Sequence, residues 1–310
     1  MKARIIKATG SWYNCLTEDG KIISCRIKGK LRLEDRRTTN PVVIGDFVEM
    51  ELEENSDNGV INEILKRNNY IIRQGSRHRT AEHILAANLD QSVIVVTFNS
   101  PRTSSGFVDR FLVTSFAYHI PAVLVLNKMD LWNNEEKQTA LDWKNVYEDI
   151  GCKVVLTSAV TKENISELKK LLSGKVSLIS GHSGAGKSSL INSIYPELNL
   201  RTGELSNWSM KGQHTTTFTE MFPLPDGGFI IDSPGIKEFG ILDLEKAEVS
   251  QFFPEMERYL HDCKFNNCLH VNEPGCEVKK KLEEGFISPS RYNSYLSILE
   301  EIDSDKKIYD

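Results

Sequence analysis

The sequence predicts three units in a row: a small N-terminal β-barrel, a central parallel α/β sheet and a C-terminal, mostly helical unit. Three observations predict it. Short stretches of alternating apolar and polar residues fill positions 1–65, cut by turn signals at Thr9-Gly10, Asp19-Gly20, Asn40-Pro41 and Asp57-Asn58-Gly59, the texture of a small barrel. From about residue 88, apolar β-branched runs alternate with helix-like segments, as in a parallel sheet covered by helices. From about residue 241 the chain reads as helices interrupted by a Cys/His-rich stretch. A length of 310 residues fits two or three domains at about 150 residues each. The changes of texture set the boundaries at 1–68, 69–240 and 241–310.

In the first unit the strands are Lys2–Ala8, Trp12–Leu16, Lys21–Arg26, Asp46–Leu52 and Gly59–Ile64. An OB-fold fits the size and the charge, and an SH3-like barrel stays open as the alternative. Residues 1–40 carry ten Lys/Arg against four acids, a net +6, whereas 41–65 carry seven acids and no base. A second basic stretch follows at Lys66, Arg67, Arg73, Arg77 and Arg79. The whole chain carries −5, so total charge does not announce a nucleic-acid binder. The local clustering admits either RNA or phosphate contact or a plain solvated surface. With 40% hydrophobic and 26% charged residues, the composition excludes a disordered chain. Apolar runs such as Ala122–Leu126 fall far short of the roughly 20 residues of a membrane span. Met1–Lys7 has no apolar core of a secretory signal. A cytoplasmic protein with no membrane partner is expected.

In the second unit the strands are Ser92–Phe98, Ala122–Leu126, Val154–Leu156, Val176–Ile179 and Phe229–Ile231, with helices over Phe107–Ala117, Asn134–Ile150 and Asn164–Leu172. Gly181-His182-Ser183-Gly184-Ala185-Gly186-Lys187-Ser188 matches the phosphate-loop pattern GxxxxGK[ST] in full, after an apolar strand and before a helix opened by Ser189. The glycines let backbone N–H groups curl round phosphate oxygens, and the helix N-terminus adds partial positive charge. Lys187 can reach the β- and γ-phosphates, and Ser188 can ligate Mg²⁺.

The nucleotide is set elsewhere. Val123–Leu126 ends in Asn127-Lys128-Met129-Asp130, an NKxD pattern. One carboxylate, Asp130, can accept from both N1–H and the exocyclic amino group of guanine, whereas adenine would leave it unpaired. Asn127 would hold neighbouring loops and contact N7, and the Lys128 stem would cover a face of the base. Thr157-Ser158-Ala159 matches a guanine loop in which the Ala159 N–H meets O6. Asp232-Ser233-Pro234-Gly235 matches DxxG, with Asp232 on Mg²⁺ through water and the Gly235 N–H on the γ-phosphate. Gly212–Thr217 supplies a switch threonine, taken as Thr216 on Mg²⁺. The order of these motifs is permuted: 127 and 157 precede 181, and 232 is last. Permutation preserves a fold where termini lie close together. The position after DxxG, which orients water through Gln in Ras-like enzymes, is Ile236. His214, with Gln213 beside it, is the candidate to place the water; Lys187 is the other catalytic candidate.

In the third unit Cys263-x4-Cys268-x-His270-x5-Cys276 offers three thiolates and one imidazole in a polar, turn-rich stretch. That is a closed tetrahedral set of the kind structural Zn²⁺ prefers; His261 is a rival ligand with irregular spacing. Arg291–Ile302 reads as a final amphipathic helix.

These motifs together, with Asn88-Leu89-Asp90-Gln91 and Asp109-Arg110, resemble over essentially the whole chain the RsgA (YjeQ/EngC) family of circularly permuted GTPases. The resemblance implies an N-terminal OB-fold, a permuted GTPase domain and a C-terminal zinc domain. It implies GTP hydrolysis to GDP that is slow alone and stimulated by the small ribosomal subunit, in late maturation of that subunit and with rRNA contacts. A monomer is expected. Gln213 departs from the family pattern, where a basic residue precedes the switch histidine. The alternative is another GTP-dependent RNA or translation factor acting on a different particle.

Overall fold

Period-two burial builds the first unit. The computed structural model describes residues 1–29, 41–54, 56–73, 83–200, 220–232 and 244–307. Strands β1 (Lys2–Thr9), β2 (Trp12–Thr17), β3 (Ile22–Ile27), β4 (Phe47–Leu52) and β5 (Gly59–Ile64) close into a barrel of order β1-β2-β3-β5-β4. β1 pairs antiparallel with both β2 and β4, and the one parallel pair, β3 with β5, completes an OB-type Greek key. Ile5, Tyr13, Cys15, Cys25, Val48, Met50 and Ile61 fill the interior. Two cysteines that look scattered in sequence therefore meet in one core. The strand bounds agree with those read from sequence to within a residue or so.

A short antiparallel pair, β6 (Tyr70–Arg73) and β7 (His83–Ala87), then leads into the sheet. Its strands are too brief to show a period in sequence. At its exit Asn88 turns the chain in the left-handed region, at φ 55°. The Asn88 side chain donates to Gly45 O and accepts from Asn68 N, and its backbone oxygen accepts from Arg4. The barrel is thus fastened to the sheet at the head of the first sheet strand.

The central sheet has the order β10-β9-β8-β11-β13-β12. Its strands are β8 (Gln91–Val96), β9 (Ala122–Asn127), β10 (Lys153–Thr157), β11 (Val176–Ser180), β12 (Met221–Pro223) and β13 (Phe229–Asp232). All neighbours run parallel except β12, an antiparallel edge. β8, β9 and β11 are buried at every position, because helices cover both faces; that is why they read as continuous apolar runs. Helices α1 (Ser105–Ala117), α2 (Asn134–Asp149), α3 (Ile165–Leu172) and α4 (Lys187–Ile194) supply the cover. Ser104 caps α1 by accepting from Phe107 N, and Asn133 with Glu136 forms a reciprocal capping box at α2.

The last unit packs short helical turns, α5 (Glu277–Glu283) and α6 (Pro289–Lys307) round Val249, Phe253, Met256, Val278, Tyr295 and Ile298. Its joint with the sheet is ionic. Arg291 of α6, 1% exposed, donates to Asp109 Oδ1 of α1 at 2.7 Å and grips both oxygens of Glu255 at 2.7 and 3.1 Å. Tyr147 O–H adds a bond to Asp109 at 2.9 Å. Among the described residues no helix is long and apolar enough to cross a membrane.

Candidate nucleotide site and metal centre

Register assembles the first site. Pairing places Val96 opposite Leu126, Asn127 opposite Thr157, Ser180 opposite Ile94 and Asp232 opposite Ile179. The strands that carry the motifs therefore end together, on the carboxyl edge of a parallel sheet. The chain steps outward from β8 to β9 and β10, then returns to the other side of β8 as β11. Such a reversal of direction leaves a crevice where α/β proteins bind ligands.

The loop 181–186 follows β11 with Gly181, Gly184 and Gly186 at φ 147°, 81° and 94°, values natural only to glycine. A Cβ on Gly186 would collide with Nδ2 of Asn127, and one on Gly181 with the backbone oxygen of Val95. This loop is packed against the end of β9 as tightly as glycine allows. Asn127 bridges three segments: its Nδ2 donates to Ala185 O at 2.8 Å, and its Oδ1 accepts from Thr157 Oγ1 at 3.1 Å. Lys187, at the start of α4, is buried and donates to Gly181 O and His182 O at 2.7 and 3.1 Å, holding its ammonium inside the curl of the loop. Ser188 is buried beside it, while Ser183, Gly184 and Ser189 are exposed.

On the base side, Ser158 O–H donates to Asp130 Oδ1 at 2.5 Å. The same Oγ accepts the N–H groups of Val160 and Thr161, which orients it. Asp130 is otherwise exposed, so Oδ2 can face a donor pair. Lys128, left-handed at φ 66°, sends its ammonium to Ser100 O at 2.7 Å. Ala159 is half-buried next to Ser158. His214, Thr216 and Gly235, and the side chain of Asp232, lie outside the described residues. Sequence reasoning missed Ser100 and Phe107, whose ring stacks on His182 with centroids 4.1 Å apart; a phenylalanine in a helix reads only as core.

The second site lies in the C-terminal unit. One donor atom from each of Cys263, Cys268, His270 and Cys276 lies within 4.8 Å of every other. Cys263 Sγ stands 3.6 Å from His270 Nδ1 and 4.0 Å from Cys276 Sγ, and Cys276 Sγ is 3.4 Å from His270 Nδ1. A tetrahedral ion with bonds of about 2.0–2.3 Å needs donors about 3.3–3.8 Å apart, so this set fits a metal; His261 is not part of it. The loop is held from outside. Tyr292 and Tyr295 donate to His270 O and Leu269 O, and Glu273 accepts the N–H groups of Leu269, Val271 and Asn272. Burial pushes the Glu273 carboxyl up, but these N–H groups together with its own outweigh it and hold it below the usual range. Burial pushes the Cys268 thiol up to about 12 and the His270 imidazole down.

Fold and site define a circularly permuted phosphate-loop GTPase, preceded by an OB-type barrel and followed by a helical domain with a Cys₃His cluster. The family model described as RsgA GTPase matches residues 64–242, and that of the RsgA N-terminal domain matches 2–61. The chain belongs to the RsgA GTPase family. The small ribosomal subunit biogenesis GTPase RsgA of Phocaeicola vulgatus is 49% identical over 306 residues, covering 99% of this chain and 98% of that protein. The crystal structure of YjeQ from Thermotoga maritima superimposes with a TM-score of 0.79 at 32% identity, covering 97% of each chain. That of YloQ, a circularly permuted GTPase, gives 0.76 at 29% identity, covering 98% of this chain and 95% of its own.

Proposed function

We propose that this GTPase acts in biogenesis of the small ribosomal subunit, late in its maturation, and that the subunit and its rRNA stimulate hydrolysis of GTP to GDP and phosphate. The observation that carries the reading is the meeting of Asn127, Asp130 and Ser158 with the loop 181–188 on one sheet edge. The relative from Phocaeicola vulgatus, similar over 99% of the chain, supports the choice of particle.

In this reading Asp130 accepts from guanine, with Ser158 fixing its orientation, and the Ala159 N–H meets O6. Asn127 ties the base loop to the phosphate loop and Lys128 covers the ring. The N–H groups of 181–189 and the Lys187 ammonium take the phosphates; Lys187 leaves its carbonyl partners for the β,γ-bridge. Ser188, Thr216 and Asp232 would hold Mg²⁺, which would supply positive charge against the phosphates. Gly235 reads the γ-phosphate. Ile236 cannot orient water, so His214 does so when the particle is bound, and turnover without the particle is slow. Cys263, Cys268, His270 and Cys276 hold one structural Zn²⁺. The working units are 1–68, 69–240 and 241–310, in a cytoplasmic monomer.

The test is GTP turnover by the purified chain alone and with isolated small or large ribosomal subunits. Stimulation by the small subunit only is expected. Equal stimulation by the large subunit, or by neither, would sink the choice of particle and favour another RNA or translation factor.

A further inference from the structure

Helix α1 belongs to two cores at once. Val108, Phe111 and Leu112 pack in the core of the central sheet, while Val113 packs in the core of the Cys/His domain. Along its outer side, α1 is fastened to that domain by Asp109–Arg291 at 2.7 Å and Arg110–Glu301 at 2.7 Å. Its first turn reaches the phosphate loop. Phe107 lies over the His182 ring, with centroids 4.1 Å apart and planes 23° from parallel. The lead-in to α1 touches both halves of the nucleotide crevice. Ser100 O accepts from Lys128, and Pro101 Cδ stands 3.6 Å from where a Cβ on Gly184 would lie.

His182 is the second residue of a glycine-rich loop whose carbonyls are tied by Lys187 and Asn127, and whose glycines widen the range of shapes its backbone can take. A loop that binds through N–H groups must be held in shape before the ligand arrives, because ordering it on binding subtracts from affinity. Phe107 reaches this stretch from outside the loop, by way of the His182 ring. We propose that Phe107 is a positioning residue of the nucleotide site: it fixes the phosphate loop through His182, and the Arg291 anchorage of α1 makes that hold depend on the C-terminal domain. The inference rests on the nucleotide site proposed above and adds a route into it that bypasses both switches.

The experiment uses the full chain and a fluorescent GDP analogue. Phe107→Leu keeps an apolar side chain and removes the ring; Phe107→Tyr keeps the ring. Phe107→Leu should release the analogue about 2- to 10-fold faster, the range of a lost aromatic pair, and Phe107→Tyr should release it at the wild-type rate. The His182 ring protons should lose their ring-current shift in Phe107→Leu and retain it in Phe107→Tyr. Arg291→Lys, which keeps the charge but gives up the two-pronged grip on Glu255, should also speed release. Combined with Phe107→Leu it should add little, as expected of residues acting through one element. Wild-type release in Phe107→Leu, or equally fast release from Phe107→Leu and Phe107→Tyr, overturns the role of Phe107. Full additivity with Arg291→Lys overturns the link to the C-terminal domain. A wild-type chain that fails to bind the analogue at all overturns the nucleotide site itself, a separate failure.

Discussion

Asp130 has one oxygen already committed: Ser158 engages Oδ1, so in the proposed site Oδ2 would take the ligand. Asp130→Asn replaces an acceptor by a donor, so guanine's own donors meet an N–H and binding suffers. GDP affinity should fall roughly 10- to 100-fold, the scale of a hydrogen-bonding group left unmet, while xanthosine nucleotides, which offer an acceptor there, should gain. A competition assay checks both; an unchanged preference would remove Asp130 from base recognition. Arg291 is the opposite kind of residue, buried and bound on all sides. Arg291→Ala would strand Asp109 and Glu255 as unpaired buried acids and should cost about 3–5 kcal/mol, read from urea unfolding. Asp130 stood out in the sequence because it closes a short motif, Asn127-Lys128-Met129-Asp130. Arg291 did not, since a lone arginine in a helix has no pattern; only the fold brings it to Asp109, which is 182 positions away.

At the scale of elements, what declared itself did so through burial. Strands buried on both faces gave unbroken apolar runs, and the barrel strands gave alternation, so their bounds came out nearly right. β6, β7 and the three-residue β12 were illegible, because so few residues carry no period and they owe their pairing to neighbours. The Cys₃His loop is the reverse case, legible by spacing although it has almost no regular structure. Its fold leans on the cluster residues themselves: Cys276 caps α5 by accepting from Lys279 N, and the backbone oxygen of His270 takes the Tyr292 hydroxyl. The wild type should carry one equivalent of metal, and Cys268→Ser should release it and lower the melting temperature of the C-terminal unit. Ligand binding in small zinc modules is folding energy of order 10 kcal/mol. Metal analysis with calorimetry reads it, and full metal content in Cys268→Ser would show that three donors suffice.

At the scale of the molecule, the barrel is not a detachable tail. Ile6 and Ile44 are part of the central core, Lys7 pairs with Glu220 beside β12, and Asn88 ties Gly45 to the sheet. Deleting the barrel would open that core, so its RNA contribution is better tested by charge. Lys21, Arg26 and Lys28 are exposed, and Arg26 stacks on Trp12 with its guanidinium carbon 4.1 Å from the ring centroid. Changing all three to Ala should weaken association with the small subunit. The salt dependence should become shallower by about one unit of slope per lost phosphate contact; an unaltered slope would assign this charge to solvent. Chain order has a further consequence, in time rather than space. During synthesis β8, β9 and β10, with Asn127, Asp130 and Ser158, emerge before Val176–Ser188 is made, and chains consolidate from the N-terminal side. On the proposed assignment, the half-site for the base is finished while the half-site for phosphate does not yet exist. β8 waits as an unprotected edge for β11, whose Ser177 meets Gln91 across 86 positions, a separation of the kind that slows folding. A GTPase in the usual order offers phosphate its first strand. This one offers its fourth, so nucleotide can steady the nascent sheet only near the end of that sheet's assembly.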